Sequence, residues 1–168
     1  RRTGGVQVSD DLLRELDGGI LRVTINRADA GNALTQYMRD EIPVVFDQAS
    51  AMPEVRVVVL TAAGERHFCT GADLRSGRKE PPPRPEGAPD RIMGDVARTI
   101  QRGWQRLVTS ILDCEKPVIC GLNGTAAGGG MHLALACDLV IAAEDAKFVE
   151  VFIRRGIAPD AAGPYLLA

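Results

Sequence analysis

The stretch Gly-Leu-Asn-Gly-Thr-Ala-Ala-Gly-Gly-Gly-Met-His-Leu-Ala-Leu-Ala-Cys, residues 121–137, decides the fold. It places three consecutive glycines, Gly128 to Gly130, between an apolar strand-like run and a run of helix-forming residues. Because glycine lacks a Cβ, it permits both unusual backbone angles and the close approach of another group. A helix that begins within the triplet has free N–H groups at the positive end of its dipole, which suit an anionic oxygen. The stretch therefore indicates either a ligand site or a helix packed tightly on a sheet.

Apolar runs elsewhere predict the strands of that sheet. Residues 55–60, 118–122 and 139–143 are continuous β-branched or apolar runs, which are typical of strands buried on both faces. Residues 20–26 alternate in character and follow Asp17-Gly18-Gly19, which indicates a hairpin with the residues before the turn. We therefore expect an α/β domain with a helix-covered, largely parallel sheet.

Two long segments have the pattern of helices. Apolar residues recur with helical spacing over residues 34–52, where Thr35 is a candidate N-cap and Pro43 predicts a kink or a shorter helix. A segment of mixed polarity, residues 91–112, predicts a second helix and carries Trp104, the single tryptophan.

A second small-residue turn follows the first buried strand. It spans residues 67–74 and ends in Gly71-Ala72-Asp73-Leu74. Ligands of open α/β sheets bind outside the carboxyl ends of the strands, so this turn is a candidate site element. Beyond it, prolines stand among charged residues, and we expect residues 78–90 to form a mobile loop.

The composition limits the class of protein. A chain of 168 residues with a net charge of −2 is expected to form one domain, residues 1–168, with no charge pattern for nucleic acid. The four cysteines, Cys69, Cys114, Cys120 and Cys137, lack paired spacing, so we expect reduced thiols and no metal site. The sequence contains no apolar run of membrane-spanning length, and its first residues lack the apolar segment of a signal peptide. We expect a cytoplasmic protein without a membrane partner.

Five motifs in order resemble the crotonase family, the enoyl-CoA hydratases and isomerases. The resemblance covers about residues 15–165. The motifs are Asn32-Ala33-Leu34, Phe68 to Leu74, Lys116-Pro117-Val118-Ile119, Asn123-Gly124 with the glycine triplet, and Leu135 to Ala142. The resemblance implies a spiral of ββα units that binds acyl-CoA thioesters and stabilises an enolate-like oxyanion.

The resemblance also implies where the substrate binds. The thioester oxygen is expected between the N–H groups of Ala72 and Gly129, where the two glycine-rich turns had already indicated donors. Coenzyme A, as part of the substrate rather than a separate cofactor, is expected along residues 26–34, with Asn26, Ala33 and Leu34, and at the turn of Ala72, Asp73 and Leu74.

Two positions depart from the family pattern. Family hydratases carry glutamates at the positions that here are His132 and Phe152. His132, one helical turn after Gly129, either faces the reacting carbons or is a hydrogen-bonded imidazole of the core or pocket wall. Phe152 cannot transfer protons, so the paired acid and base of a hydratase are missing.

Asp160 is the candidate for proton transfer. The segment 156–163 resembles family isomerases and aroyl-CoA dehalogenases in which an aspartate here is the working carboxylate. The alternative is a Pro-Asp turn residue that caps the next helix. Glu150 is a less favoured substitute.

The sequence thus favours an isomerase-like acyl-CoA enzyme over a hydratase with unusual residues or a non-catalytic acyl-CoA-binding homologue. A serine peptidase of a related fold is disfavoured, because Ser76 and Ser110 lie in the wrong contexts for a nucleophile. The resemblance also implies a C-terminal helical segment that this sequence does not include; either the chain is a truncated form or the segment is not represented in it. Because its loss would leave residues 165–168 and the glycine helix poorly covered, we expect a homotrimer or a dimer of trimers.

Overall fold

The computed structural model describes residues 10–75, 86–90 and 92–168. Most of the predicted mobile loop, residues 78–85, lies outside the described residues. In the described parts of the chain, no helix combines the length and apolar character needed to cross a membrane.

The main sheet has five strands in the order β1-β2-β3-β5-β7. Strands β1 (Leu12–Asp17) and β2 (Ile20–Ile25) form the predicted antiparallel hairpin, closed by Gly18 and Gly19, whose φ angles of 55° and 86° suit a tight two-residue turn. Strands β3 (Val57–Ala62), β5 (Val118–Leu122) and β7 (Leu139–Ala142) then add in parallel. The predicted α/β fold with a largely parallel sheet is therefore confirmed.

A second sheet, also parallel, is formed by short strands that each follow a strand of the main sheet. It has three short strands in the order β4-β6-β8, namely β4 (His67–Cys69), β6 (Thr125–Ala127) and β8 (Phe148–Val149). Each comes shortly after a strand of the main sheet, so the chain alternates between the two sheets. This alternation brings the turn after β4 beside the glycine triplet after β6.

The helices follow the predicted segments with two differences. Helix α1 (Gln36–Ala51) is capped by Thr35, whose Oγ1 accepts a hydrogen bond from Met38 N at 3.2 Å, and it continues through Pro43 rather than ending there. The segment predicted as one helix consists of α2 (Met93–Ile100), a π-helical turn (Gln101–Gln105) and α3 (Arg106–Leu112). Helices α4 (Gly129–Leu135) and α5 (Gly163–Leu166) complete the set.

Two expectations about burial were wrong. All four residues of β7 are exposed, because β7 is an edge strand of the main sheet that pairs with β5. In contrast, helix α4 is well covered, with residues 129–134 all buried against β4, β6, α3 and α5. Exposed apolar side chains on β7 and β8 are Leu139, Val140, Ile141 and Phe148, and others lie elsewhere, including the last turn of the chain.

Candidate active site

The three glycines that begin α4 serve three different purposes. Gly128 has a φ of 52°, which side chains rarely adopt. A Cβ on Gly129 would lie 2.6 Å from the Trp104 ring, and a Cβ on Gly130 would lie 2.2 Å from the carbonyl oxygen of Cys69. Tight packing on a strand therefore explains Gly130. Gly129 instead leaves room for the ring of Trp104, which lines the cleft described below.

The turn after β4 lies directly against the start of α4. Gly71 has a φ of 89°, and a Cβ on it would lie 3.1 Å from Ala127 O and 3.4 Å from Gly129 N. Its neighbour Ala72 bridges to Leu34, with Leu34 N donating to Gly71 O at 2.8 Å and Asp73 N donating to Leu34 O at 2.9 Å. Because alternate residues of an extended segment point to opposite sides, the Ala72 N–H faces away from Leu34.

Both candidate oxyanion donors are without backbone partners. Among the described residues, neither Ala72 N nor Gly129 N donates to a backbone oxygen. Gly129 is the first residue of α4, where an N–H group has no intrahelical acceptor. Two free N–H groups on adjoining turns can together stabilise one anionic oxygen.

A cleft of about 670 Å³ opens in front of these turns. Ala72, Leu74 and Gly129 line it, and Asp160 is the single carboxyl group among its described lining residues. Asp160 does not cap α5, since the N-cap of that helix is Ala162 and no side chain provides a cap. Four of the predicted residues, Ala72, Leu74, Gly129 and Asp160, thus border the same cleft.

His132 lies elsewhere. It is fully buried and is not among the described lining residues of the cleft. Its Nε2 is 3.2 Å from Glu150 Oε2, and its ring stacks on Phe152 with centroids 5.4 Å apart and planes 8° from parallel. The structure therefore places His132 behind the cleft wall and pairs it with Glu150. Because the two residues are 18 positions apart in the chain, the sequence did not indicate this pairing.

The residues predicted to contact coenzyme A belong to two loops that are tied together. The Arg27 guanidinium contacts Asp73 Oδ2 at 2.9 Å and donates to Ala33 O, while Asn26 donates to Asp10 O at 2.8 Å. Ala33 and Leu34 are buried, whereas Leu74 is exposed and borders the cleft. Of the six residues predicted to contact coenzyme A, Ala72 and Leu74 line the cleft, whereas Asn26, Ala33, Leu34 and Asp73 are not among its described lining residues.

Asn32 organises the same loops, a role that the sequence did not reveal. It is fully buried with a φ of 53°, accepts from Arg27 N at 2.9 Å and donates to Ala63 O at 2.9 Å and His67 O at 2.6 Å. Its place in a motif with Ala33 and Leu34 was the available signal.

Three further cleft residues were missed. Trp104, Arg154 and Arg155 all line the cleft. Trp104 reaches it from the π-helical turn, 25 residues before Gly129 in the chain, so periodicity could not connect them. The one feature of the sequence that singled out Trp104 was that it is the single tryptophan.

The cysteines are free thiols in the described chain. Burial raises the pKa of Cys69 to about 12, against the opposing effect of a hydrogen bond from the Gly71 backbone. A hydrogen bond with Cys120 and burial also raise the pKa of Cys137. Within residues 10–75, 86–90 and 92–168, no three metal-binding side chains come together.

The fold is a two-sheet α/β domain of the crotonase type, and comparison with known proteins identifies its family. The family model described as enoyl-CoA hydratase/isomerase matches residues 15–168, so the chain belongs to the enoyl-CoA hydratase/isomerase family. The resemblance inferred from the sequence motifs is thereby confirmed.

Individual relatives and structures agree. The chain is 36% identical to the 1,2-epoxyphenylacetyl-CoA isomerase of Escherichia coli K12, over 93% of this chain and 56% of the relative. It is 37% identical to a probable enoyl-CoA hydratase of Rhodobacter capsulatus, over 91% of this chain and 54% of the relative. The crystal structure of an enoyl-CoA hydratase from Mycobacterium avium subsp. paratuberculosis superimposes with a TM-score of 0.78 at 33% identity, covering 95% of this chain and 58% of that one. The chain thus spans about half the length of the curated relatives it matches.

Proposed function

We propose that this chain is the acyl-CoA-binding part of an enzyme that shifts a double bond in an enoyl-CoA thioester. The observation that supports this most strongly is the cleft bordered by two unpaired N–H groups, of Ala72 and Gly129, and by one carboxyl group, of Asp160. Such a site offers stabilisation of an oxyanion and a single group for proton transfer.

The proposed reaction needs only these groups. The Asp160 carboxylate removes a proton from C2 of a 3-enoyl-CoA, and the electron pair moves toward the thioester oxygen to form a dienolate. The N–H groups of Ala72 and Gly129 hold the negative oxygen. Asp160 then returns the proton to C4 as the double bond forms between C2 and C3, so that atoms and charge balance.

Hydration requires a second group, and the arrangement around His132 argues against one. Addition of water needs one group that deprotonates water and another that protonates the α-carbon. Phe152 stands between the cleft and His132, because it lines the cleft and stacks on the imidazole. We therefore propose isomerisation in preference to hydration.

A non-catalytic acyl-CoA-binding homologue is the second candidate. It is favoured by the presence of a single carboxyl group among the described lining residues. Binding of an acyl-CoA without turnover on any enoyl-CoA would support this alternative.

The test is a comparison of two reactions catalysed by the same preparation. Conversion of a 3-enoyl-CoA to the conjugated 2-enoyl-CoA should exceed hydration of crotonyl-CoA, with both followed by absorbance and by chromatography of the products. Faster hydration than isomerisation would overturn the isomerase proposal. Tight binding with neither reaction would favour the non-catalytic alternative.

We also propose that coenzyme A enters only as part of the substrate, that no separate cofactor is required, and that the protein acts in the cytoplasm.

We further propose assembly into a homotrimer or a dimer of trimers. The exposed apolar residues Leu139, Ile141 and Phe148 support association, because apolar patches of this kind mark interfaces. A monomer in sedimentation at micromolar concentration would overturn the assembly proposal.

A further inference from the structure

Two aromatic rings border the cleft, that of Trp104 beside Gly129 and that of Phe152 beside Gly128. A Cβ on Gly129 would lie 2.6 Å from Trp104 Cζ3, and a Cβ on Gly128 would lie 3.7 Å from Phe152 Cε2. Both rings also line the cleft. The rings thus lie next to the N–H group of Gly129, where the acyl carbons of a bound thioester would begin.

Phe152 is held in place from behind. It is 8% exposed, and its ring is stacked on the fully buried His132. His132 is fixed in turn by Glu150 Oε2 at 3.2 Å and by Gly163, where a Cβ would lie 2.5 Å from His132 Nε2. The imidazole that backs Phe152 is thus itself buried and held by a polar contact, and the two ring planes lie 8° from parallel.

Trp104 is positioned by the π-helical turn between α2 and α3. Such turns insert one extra residue into a helix and redirect the side chains around it. Gly103 beside it is buried, and a Cβ there would lie 3.1 Å from Arg39 Cζ, so the guanidinium packs against the turn. The indole is therefore anchored at its backbone while its ring remains half-buried at the cleft.

We propose that Trp104 and Phe152 select acyl groups that carry an aromatic ring, so that the substrates are aryl-substituted acyl-CoA thioesters. This inference rests on the proposed function, since it names the substrate class of the same site. A flat ring gains offset-stacked or edge-to-face contacts with fixed aromatic side chains, and a saturated ring or chain of equal size gains only burial. His132 acts as a positioning residue, because it contacts Phe152 and lies outside the cleft.

The test uses two ligands that differ only in aromaticity. Binding of 3-phenylpropanoyl-CoA and 3-cyclohexylpropanoyl-CoA is measured by calorimetry, and neither ligand has a double bond in the acyl chain to isomerise. The wild type should bind the phenyl ligand about tenfold more tightly, the order expected for favourable aromatic pairs. The preference is diagnostic because the cyclohexyl group is the more hydrophobic of the two.

Single substitutions should remove this preference. Phe152→Leu and Trp104→Leu each keep apolar bulk and lose the ring, so the ratio of the two dissociation constants should fall toward one. Tyr37→Leu is the matched control, since Tyr37 is an aromatic residue exposed on α1 and is not among the described lining residues of the cleft. If Phe152→Leu does not fold, Phe152→Met offers similar volume without a ring.

The role of His132 has its own readout. His132→Asn should lower the phenyl-to-cyclohexyl ratio in the wild-type background, because the Phe152 ring loses its support. In the Phe152→Leu background the same change should leave the ratio unaltered. An equal effect in both backgrounds would overturn the positioning role.

Failure of the inference can be distinguished from failure of the proposed function. If neither ligand nor free coenzyme A binds, the proposed function fails and the inference fails with it. If both ligands bind equally well to the wild type, or if the preference survives both leucine substitutions, the aromatic selectivity is overturned while the acyl-CoA site stands.

Discussion

The backbone of Gly130 lies directly against the carbonyl oxygen of Cys69, so closely that a Cβ on residue 130 would come within 2.2 Å of it. Cys69 ends β4, and the turn with Ala72 follows it. The contact therefore fixes the distance between that turn and the start of α4, where Gly129 lies. The two candidate oxyanion donors are aligned by this packing contact between elements that are about 60 residues apart in the chain.

Gly130→Ala should destabilise the protein even though alanine is the better helix former. The added methyl group meets backbone atoms, which cannot rotate away, and overpacking typically costs about 1–3 kcal/mol or more. The measurement is the free energy of unfolding in urea. Gly94→Ala is the control, because its new Cβ would meet only the Ile92 side chain at 3.6 Å and should be neutral or stabilise α2. Equal effects at both sites would contradict the contact.

Cys69→Ala should change how stability depends on pH. Burial raises the pKa of Cys69 from 9.0 to about 12, so between these values the unfolded chain releases a proton that the folded chain keeps. The stability contributed by this thiol is thus complete below pH 9 and falls as pH rises, by up to about 1.4 kcal/mol per pH unit. The variant should be less stable at pH 8, and the difference should shrink toward pH 10.5. Val108→Ala, a packing loss without a titrating group, should give a constant difference; parallel curves for Cys69→Ala would refute the argument.

Local patterns in the sequence predicted most of the fold. The Gly18-Gly19 turn, the Thr35 cap and the strand at residues 118–122 could be predicted because each depends on neighbouring residues. The exposure of β7 could not, because the position of a strand within a sheet depends on the order in which distant segments pair.

The same limit applies to the candidate site. The turns with Ala72 and Gly129 were recognisable from their small residues. The pairing of His132 with Glu150 and the approach of Trp104 to Gly129 were not, because both are contacts between elements that no periodicity relates. His132 lies about one helical turn after Gly129, but its side chain points into the core rather than into the cleft.

Comparison of Gly129→Pro with Gly129→Ala should isolate the contribution of the N–H group. Both substitutions place a Cβ near the Trp104 ring, but only proline removes the donor, and proline is tolerated at the first position of a helix. Proline should therefore lower kcat a further 100-fold or so below alanine, the loss typical of about 3 kcal/mol of oxyanion stabilisation. Binding of free coenzyme A serves as the control for folding. Similar kcat values for the two variants would remove Gly129 from the oxyanion site.

The proposed chemistry makes Asp160 and His132 unequal. Asp160 borders the cleft, whereas His132 is buried behind Phe152 and paired with Glu150. Asp160→Asn keeps the shape of the side chain and removes the proton acceptor, so isomerisation of a 3-enoyl-CoA should fall by about 10²–10⁴-fold, the range for loss of a general base. His132→Asn should reduce turnover less, through looser packing of Phe152. Both variants should be compared at saturating substrate, with the dissociation constant of a saturated acyl-CoA measured alongside to separate binding from chemistry. Full isomerase activity in Asp160→Asn, or a larger loss in His132→Asn, would show that the proton transfer belongs to other residues.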